Sequence, residues 1–134
     1  MDVKKLNGIE DIVADAYDDP NSSGRPMQYL YDSIIDHNPQ LSKDETMKLF
    51  LEFVEHLLRK DMVQLYGAYD KKNDREVRWN GSVEDIMDLL KKFTKDFPQE
   101  KLESEPVYFF DFEYCFLVWK VDWPIDLRKY GLEN

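Results

Sequence analysis

Residues 42–66, SKDETMKLFLEFVEHLLRKDMVQLY, decide the fold. Ser42 followed by Glu45 is a capping-box pattern, in which the two side chains satisfy backbone N–H groups at a helix start. Behind it Met47, Phe50, Leu51, Val54, Leu57 and Leu58 recur at helical spacing, so the segment predicts a helix with one apolar face. Arg59 and Lys60 suit the negative end of its dipole. At Val63 the period changes from helical to alternating, with Val63 and Leu65 on one side, which predicts a strand entered directly from the helix. A long helix feeding a short strand, with no βαβ rhythm around it, points to the α+β class.

Working outward, MVQLYGAY over 62–69 and REVRWN, with its strand at 75–79, read as a hairpin joined by polar DKKND and closed by Asn80 and Gly81. Upstream, GIEDIVADAY at 8–17 places Ile9, Ile12, Val13 and Ala16 on one helical face. DDPNSSGRP at 18–26 concentrates turn-forming residues and reads as a loop, with Pro26 placed to open the next helix. That helix, 27–37, carries Met27, Leu30, Tyr31, Ile34 and Ile35, and HNPQ ends it. Downstream, Ser82 and Asp85 repeat the capping logic ahead of Val83, Ile86, Met87, Leu90 and Phe93, and Pro98 stops that helix. After the charged loop QEKLESEP, residues 107–121 are rich in strand formers and predict strands at 107–112 and 115–121, bending near Asp111 to Tyr114. Leu127 and Tyr130 are placed to pin a last turn to the body. The expectation is a single α+β domain over 1–134, with N-terminal helices packed on a small, mainly antiparallel sheet.

The chain has 134 residues, 43% of them hydrophobic and 14% aromatic, enough to bury a real core. Its formal net charge is -10 and its pI is about 4.6, so nucleic acid and anionic membranes would be repelled and a basic protein would be attracted. Acidity also serves solubility alone, which is the competing explanation. One cysteine, Cys115, excludes an internal disulfide and a Cys-rich zinc site. With no signal-like or membrane-length apolar run, the chain is expected to be cytoplasmic.

No pattern for catalysis is present. His56 stands one helical turn after Glu52, but two ligands do not make a metal site, and His37 lies in a helix-ending HNP. Glu84, Asp85 and Asp88 sit where carboxylates favour a helix N-terminus. Asn80-Gly81-Ser82 has too few glycines to cradle phosphate, and GxSxG and HExxH are missing. Cys115, inside an aromatic run, reads as a small buried hydrophobe. No catalytic residue, cofactor or metal is therefore expected. What stands out is ESEPVYFFDFEYCFLVWKVDWPID at 103–126, which interleaves aromatics with acid. Carboxylates have no place among core-facing rings, so Asp111, Glu113, Asp122 and Asp126 are expected at the rim of the sheet, with Tyr114 and Trp123 as aromatic anchors. These six are the candidate partner-binding residues.

From about residue 45 to 123 the order of features resembles a family of small bacterial proteins associated with immunity to polymorphic and contact-dependent growth inhibition toxins. The resemblance is carried by FLEFVEHLLRKDMVQLYG, WNGSVEDIMDLLKKFTKDFP and YFFDFEYCFLVWKV. It implies a small α+β inhibitor that neutralises a cognate toxin domain in the cytoplasm of the producing cell. Joined to the acidic surface, it leads to the expectation of a basic toxin domain, a nuclease for instance, whose active site is masked. An acidic adaptor or regulatory domain is the alternative, separable by salt dependence, and a metal-dependent hydrolase using Glu52 and His56 is a third, separable by metal analysis.

Overall fold

A computed structural model describes residues 5–67, 69–70, 74–95 and 115–132. It is an α+β fold. In chain order the elements are α1 (Ile9–Ala16), β1 (Arg25–Pro26), α2 (Met27–His37), α3 (Lys43–Arg59), β2 (Val63–Tyr66), β3 (Tyr69–Asp70), β4 (Arg75–Glu76), α4 (Val83–Lys95) and β5 (Phe116–Trp119). Consecutive helices pack on one another, and an antiparallel sheet of order β1-β5-β2 is packed with them.

The first helix buries Ile9, Ile12, Val13 and Ala16, the face expected from their spacing. Gly8 precedes it at φ 72°, and a Cβ there would stand 2.8 Å from the His37 ring, so glycine serves both the left-handed backbone and the close approach of α2. In α2 the buried set is Met27, Leu30, Tyr31, Ser33 and Ile34, while Ile35 is 39% exposed. The apolar face is thus rotated from the expected one, because Ser33 can be buried: its hydroxyl donates to Asp15 on α1 at 2.7 Å. Asn38 ends α2 fully buried and satisfied. Its Nδ2 donates to the carbonyls of Ile34 and Asn7, both at 3.1 Å, and its Oδ1 accepts from the Asn7 N–H at 2.8 Å.

The capping box of α3 is formed in both directions: the Glu45 N–H donates to Ser42 Oγ at 3.2 Å and the Ser42 N–H to Glu45 Oε1 at 3.1 Å. Phe50, Val54 and Leu57 are buried as expected, joined by Leu49 and Phe53, while Met47, Leu51 and Leu58 lie at the edge of the core. The edge of Phe50 meets the Tyr31 ring at 5.6 Å and 83°. Beyond Lys60 the helix closes in a Schellman arrangement, with the Asp61 N–H bonded to the Leu58 carbonyl at 3.1 Å and the Met62 N–H to that of Leu57 at 3.0 Å. Asp61 adopts φ 54° there and forms an exposed ion pair with Lys120.

The expected hairpin is only partly present. Val63 and Leu65 point inward and Gln64 and Tyr66 outward, as their alternation requires. Their partner, however, is β5: Val63 faces Trp119 and Leu65 faces Leu117. Gly67, at φ 59°, ends the strand, and only the short β3 and β4 pair locally, Tyr69 with Glu76 and Asp70 with Arg75. Val77 and Trp79 lie beyond β4 and reach the core from coil. The loop read over 18–26 also needs correction at its end. Arg25 and Pro26 pair with Leu117 and Phe116 as an edge strand, where a proline's missing N–H is tolerated. A Cβ at Gly24 would stand 2.7 Å from the Leu117 carbonyl, which explains how closely that edge approaches β5.

The fourth helix starts as expected, with the Asp85 N–H donating to Ser82 Oγ at 3.1 Å and the Ser82 N–H to Asp85 Oδ2 at 3.3 Å. Of the two strands expected in 107–121, the second is β5, within 115–121, and the first lies outside the described residues. After β5 the chain closes a final turn over Leu127–Leu132, with the Leu132 N–H donating to the Leu127 carbonyl at 2.9 Å. Leu127 and Tyr130 pack against the core, and Leu132 is buried outright. No helix among the described residues is long and apolar enough to cross a membrane.

Candidate partner interface

Trp119 is the joint from which the candidate surface is built. Buried at 1% exposure, its indole Nε1–H donates to the Ala16 carbonyl at 2.8 Å and so fixes β5 to the C-terminal end of α1. Tyr17, the residue that caps α1, packs on it with ring centroids 5.3 Å apart, and Trp123 packs on Tyr17 at 5.2 Å. The Tyr17 hydroxyl donates to the Val121 carbonyl at 2.9 Å, and its own carbonyl accepts from Arg25 Nε at 3.2 Å. Two stretches of chain, 16–25 and 119–123, are thereby fixed at one place across separations of 103 and 104 positions. The last ring of the series, Trp123, is 51% exposed. Half of the largest side chain left in water beside a rigid support is the composition of an interface anchor.

Carboxylates act on its support. The Tyr17 phenol is pushed above 10.0 by partial burial first and then by the charges of Asp19, Asp122 and Asp18, opposed by a hydrogen bond from the Trp123 backbone. Acid from the 18–26 loop and acid from the C-terminal segment thus act on one hydroxyl, although Tyr17 and Val121 are separated by 104 positions. Of the six residues expected to bind a partner, Asp122 and Trp123 meet here. Asp126 lies on the same segment and lines a cleft of about 450 Å³ between that segment and α1, with Glu10 and Val13 on the far wall. It also accepts from the Lys129 N–H, through its carbonyl at 3.1 Å and its Oδ1 at 3.4 Å, so part of its role is to hold the final turn. Asp111, Glu113 and Tyr114 lie outside the described residues. The surface continues past Arg25, whose guanidinium carbon sits 4.8 Å from the centre of the Tyr29 ring. Beside it a second cleft is lined by Asp15, Asp32 and Asp36. Burial raises the Asp32 carboxyl above its usual value, opposed by the hydrogen bond from Gln28, and Asp36 adds to the rise.

Sequence reasoning missed Tyr17 and the joining of Asp18 and Asp19 to Asp122. A tyrosine ending a short helix carries no local mark of what it will touch, and only closure of the sheet brings Val121 to it.

The other chemical candidates are accounted for by structure. His56 Nε2 stands 2.6 Å from the Tyr130 carbonyl, so the ring donates there and locks the C-terminal turn to α3. Among the described residues no group of three or more His, Cys, Asp or Glu is placed to hold a metal ion. Glu84 pairs with Arg59 at 3.0 Å, and its carboxyl is held below 4.5 by its own backbone N–H and by that guanidinium, as suits a helix start. Cys115 is buried, its thiol pushed up by desolvation, with Sγ 3.1 Å from Met27 Sδ, so it is a packing residue rather than a nucleophile. The chain matches no protein-family model, no curated protein and no solved structure.

Proposed function

We propose that the chain is an immunity-type inhibitor, which binds a cognate basic toxin domain in the cytoplasm of the cell that makes it and masks the toxin's active site. The observation carrying this reading is the half-exposed Trp123, held on Tyr17, with Asp122 beside it in the chain and Asp18 and Asp19 directly following Tyr17. An inhibitor of this kind needs no catalytic group. It needs long-range attraction to speed encounter and a rigid apolar anchor to slow release, and the surface supplies both. A nuclease is the toxin class such a surface suits, since carboxylates can occupy the sites that otherwise receive phosphate.

The test is surface plasmon resonance against the toxin-like product of the adjacent reading frame, combined with an assay of that product's activity. Tight binding with loss of activity is expected, with an association rate that falls steeply as salt rises. Asp18→Lys combined with Asp122→Lys should slow association about 10-fold at low salt, and Trp123→Ala should mainly speed dissociation. Binding that leaves the partner fully active would refute inhibition, and indifference of the rates to all three changes would move the interface elsewhere.

A further inference from the structure

The cleft beside Trp123 has a composition that selects one kind of occupant, and we infer that it receives an arginine side chain of the basic partner. This rests on the inhibitor reading, which makes the occupant part of a protein. The cleft measures about 450 Å³, within the range of about 300–1,000 Å³ usual for binding clefts and large enough for a long side chain with its flanking peptide. Its walls combine apolar surface from the half-buried Ile125 and Leu127, the half-exposed indole of Trp123, and the exposed carboxylates of Glu10 and Asp126. Ile125 and Leu127 suit the methylenes of a stem. Indole and carboxylates together suit a planar cation, which stacks on the ring while its N–H groups reach oxygen. An anion would meet two carboxylates and a chain of net charge -10. Arg128, the one cation among the described residues that line the cleft, has a partner of its own within the chain.

The molecule already uses this recognition once. Arg25 lies over Tyr29, itself 48% exposed, and both border the cleft that Asp32 and Asp36 line. Guanidinium on an exposed ring beside carboxylates is therefore a stable arrangement on this surface. At Trp123 the ring and the carboxylates are present, and the guanidinium is to come from the partner.

The probe is N-acetyl-argininamide, titrated into the ¹⁵N-labelled full chain while the indole N–H resonance of Trp123 is followed; Trp123→Ala assigns that peak. A saturable shift at millimolar concentration is expected, at least about 10-fold weaker with the uncharged citrulline analogue and weaker with the lysine analogue. Asp126→Asn, which keeps both the backbone carbonyl and a side-chain oxygen to accept from the Lys129 N–H, and Glu10→Gln should each weaken the arginine titration about 3-fold or more. Equal shifts with the arginine and citrulline compounds, no shift at all, or tighter binding of the lysine compound would overturn the inference. Because the probe is a free amino-acid derivative, such a failure leaves the inhibitor reading to its own binding measurement. Conversely, a toxin-like partner that does not bind would overturn that reading while the arginine titration could still succeed.

Discussion

Trp119→Phe tests the joint on which both the core and the candidate interface rest. Phenylalanine cannot donate to the Ala16 carbonyl, which the indole reaches at 2.8 Å in a site with 1% exposure. A buried acceptor left unmatched costs about 1–3 kcal/mol. The smaller ring also leaves a void of about 40 Å³, which at about 24 cal/mol per Å³ adds about 1 kcal/mol. The sum, about 2–4 kcal/mol, is a large share of a domain stability of about 5–15 kcal/mol. Urea unfolding followed by circular dichroism measures it, with the transition midpoint moving and its slope unchanged. A benzothienyl analogue at the same position keeps the bicyclic shape and lacks the N–H, so it should lose the hydrogen-bond share alone. A loss under about 1 kcal/mol for Trp119→Phe would refute the reasoning, since the Ala16 carbonyl would then have found another donor and the core would have closed over the void.

Asp61→Gly should raise stability by about 0.5 kcal/mol, because glycine relieves a left-handed backbone worth about 1 kcal/mol and the exposed ion pair with Lys120 that is lost is worth less; a lower urea midpoint would reverse that order. Glu45 is held below 4.5 by the Ser42 backbone N–H, so its share of stability is complete above pH 4.5 and is lost as pH falls through the lower folded value. Glu45→Gln should therefore flatten that acid limb in pH-dependent thermal melts, and an unchanged limb would deny the cap its role. Asp18→Asn with Asp122→Asn should bring the Tyr17 pKa down toward 10.0, read by NMR of labelled tyrosine, without loss of stability. An unmoved pKa would mean that the two acidic segments do not converge on that hydroxyl.

The helices were legible because their determinants are local. Ser42 with Glu45 and Ser82 with Asp85 mark two starts within one turn of chain, and both pairs form as written. What local pattern could not settle was rotation. Ile35 faces water and Ser33 faces inward only because Asp15 on another helix accepts the serine hydroxyl, and Phe53 enters the core at the expense of Leu51 because of how α3 meets its neighbours. Strand pairing was less legible still. Val63–Tyr66 carries the right alternation, yet alternation names no partner, and the true partner, Phe116–Trp119, lies beyond an intervening helix. Arg25–Pro26 was invisible as a strand, since a proline among turn residues reads as loop unless the neighbouring strand is known.

The candidate surface divides along the same line. Composition alone selected Asp122, Trp123 and Asp126, together with Asp111, Glu113 and Tyr114, which lie outside the described residues, because carboxylates among aromatics in an apolar segment have few places to go. Tyr17, Asp18 and Asp19 join them only through contacts that the closed sheet creates: Trp119 to Ala16, Tyr17 to Val121, and Arg25 to Tyr17. The first two join positions 103 and 104 residues apart and are not available to an unfolded chain. Burial first, and then the charges of Asp19, Asp122 and Asp18, raise the pKa of the Tyr17 phenol. Solubility would be served as well by the same charges spread apart. Placing them beside the tyrosine that supports a half-exposed tryptophan, on a joint fixed by two long-range hydrogen bonds, is the arrangement that the proposed cationic partner would meet with attraction.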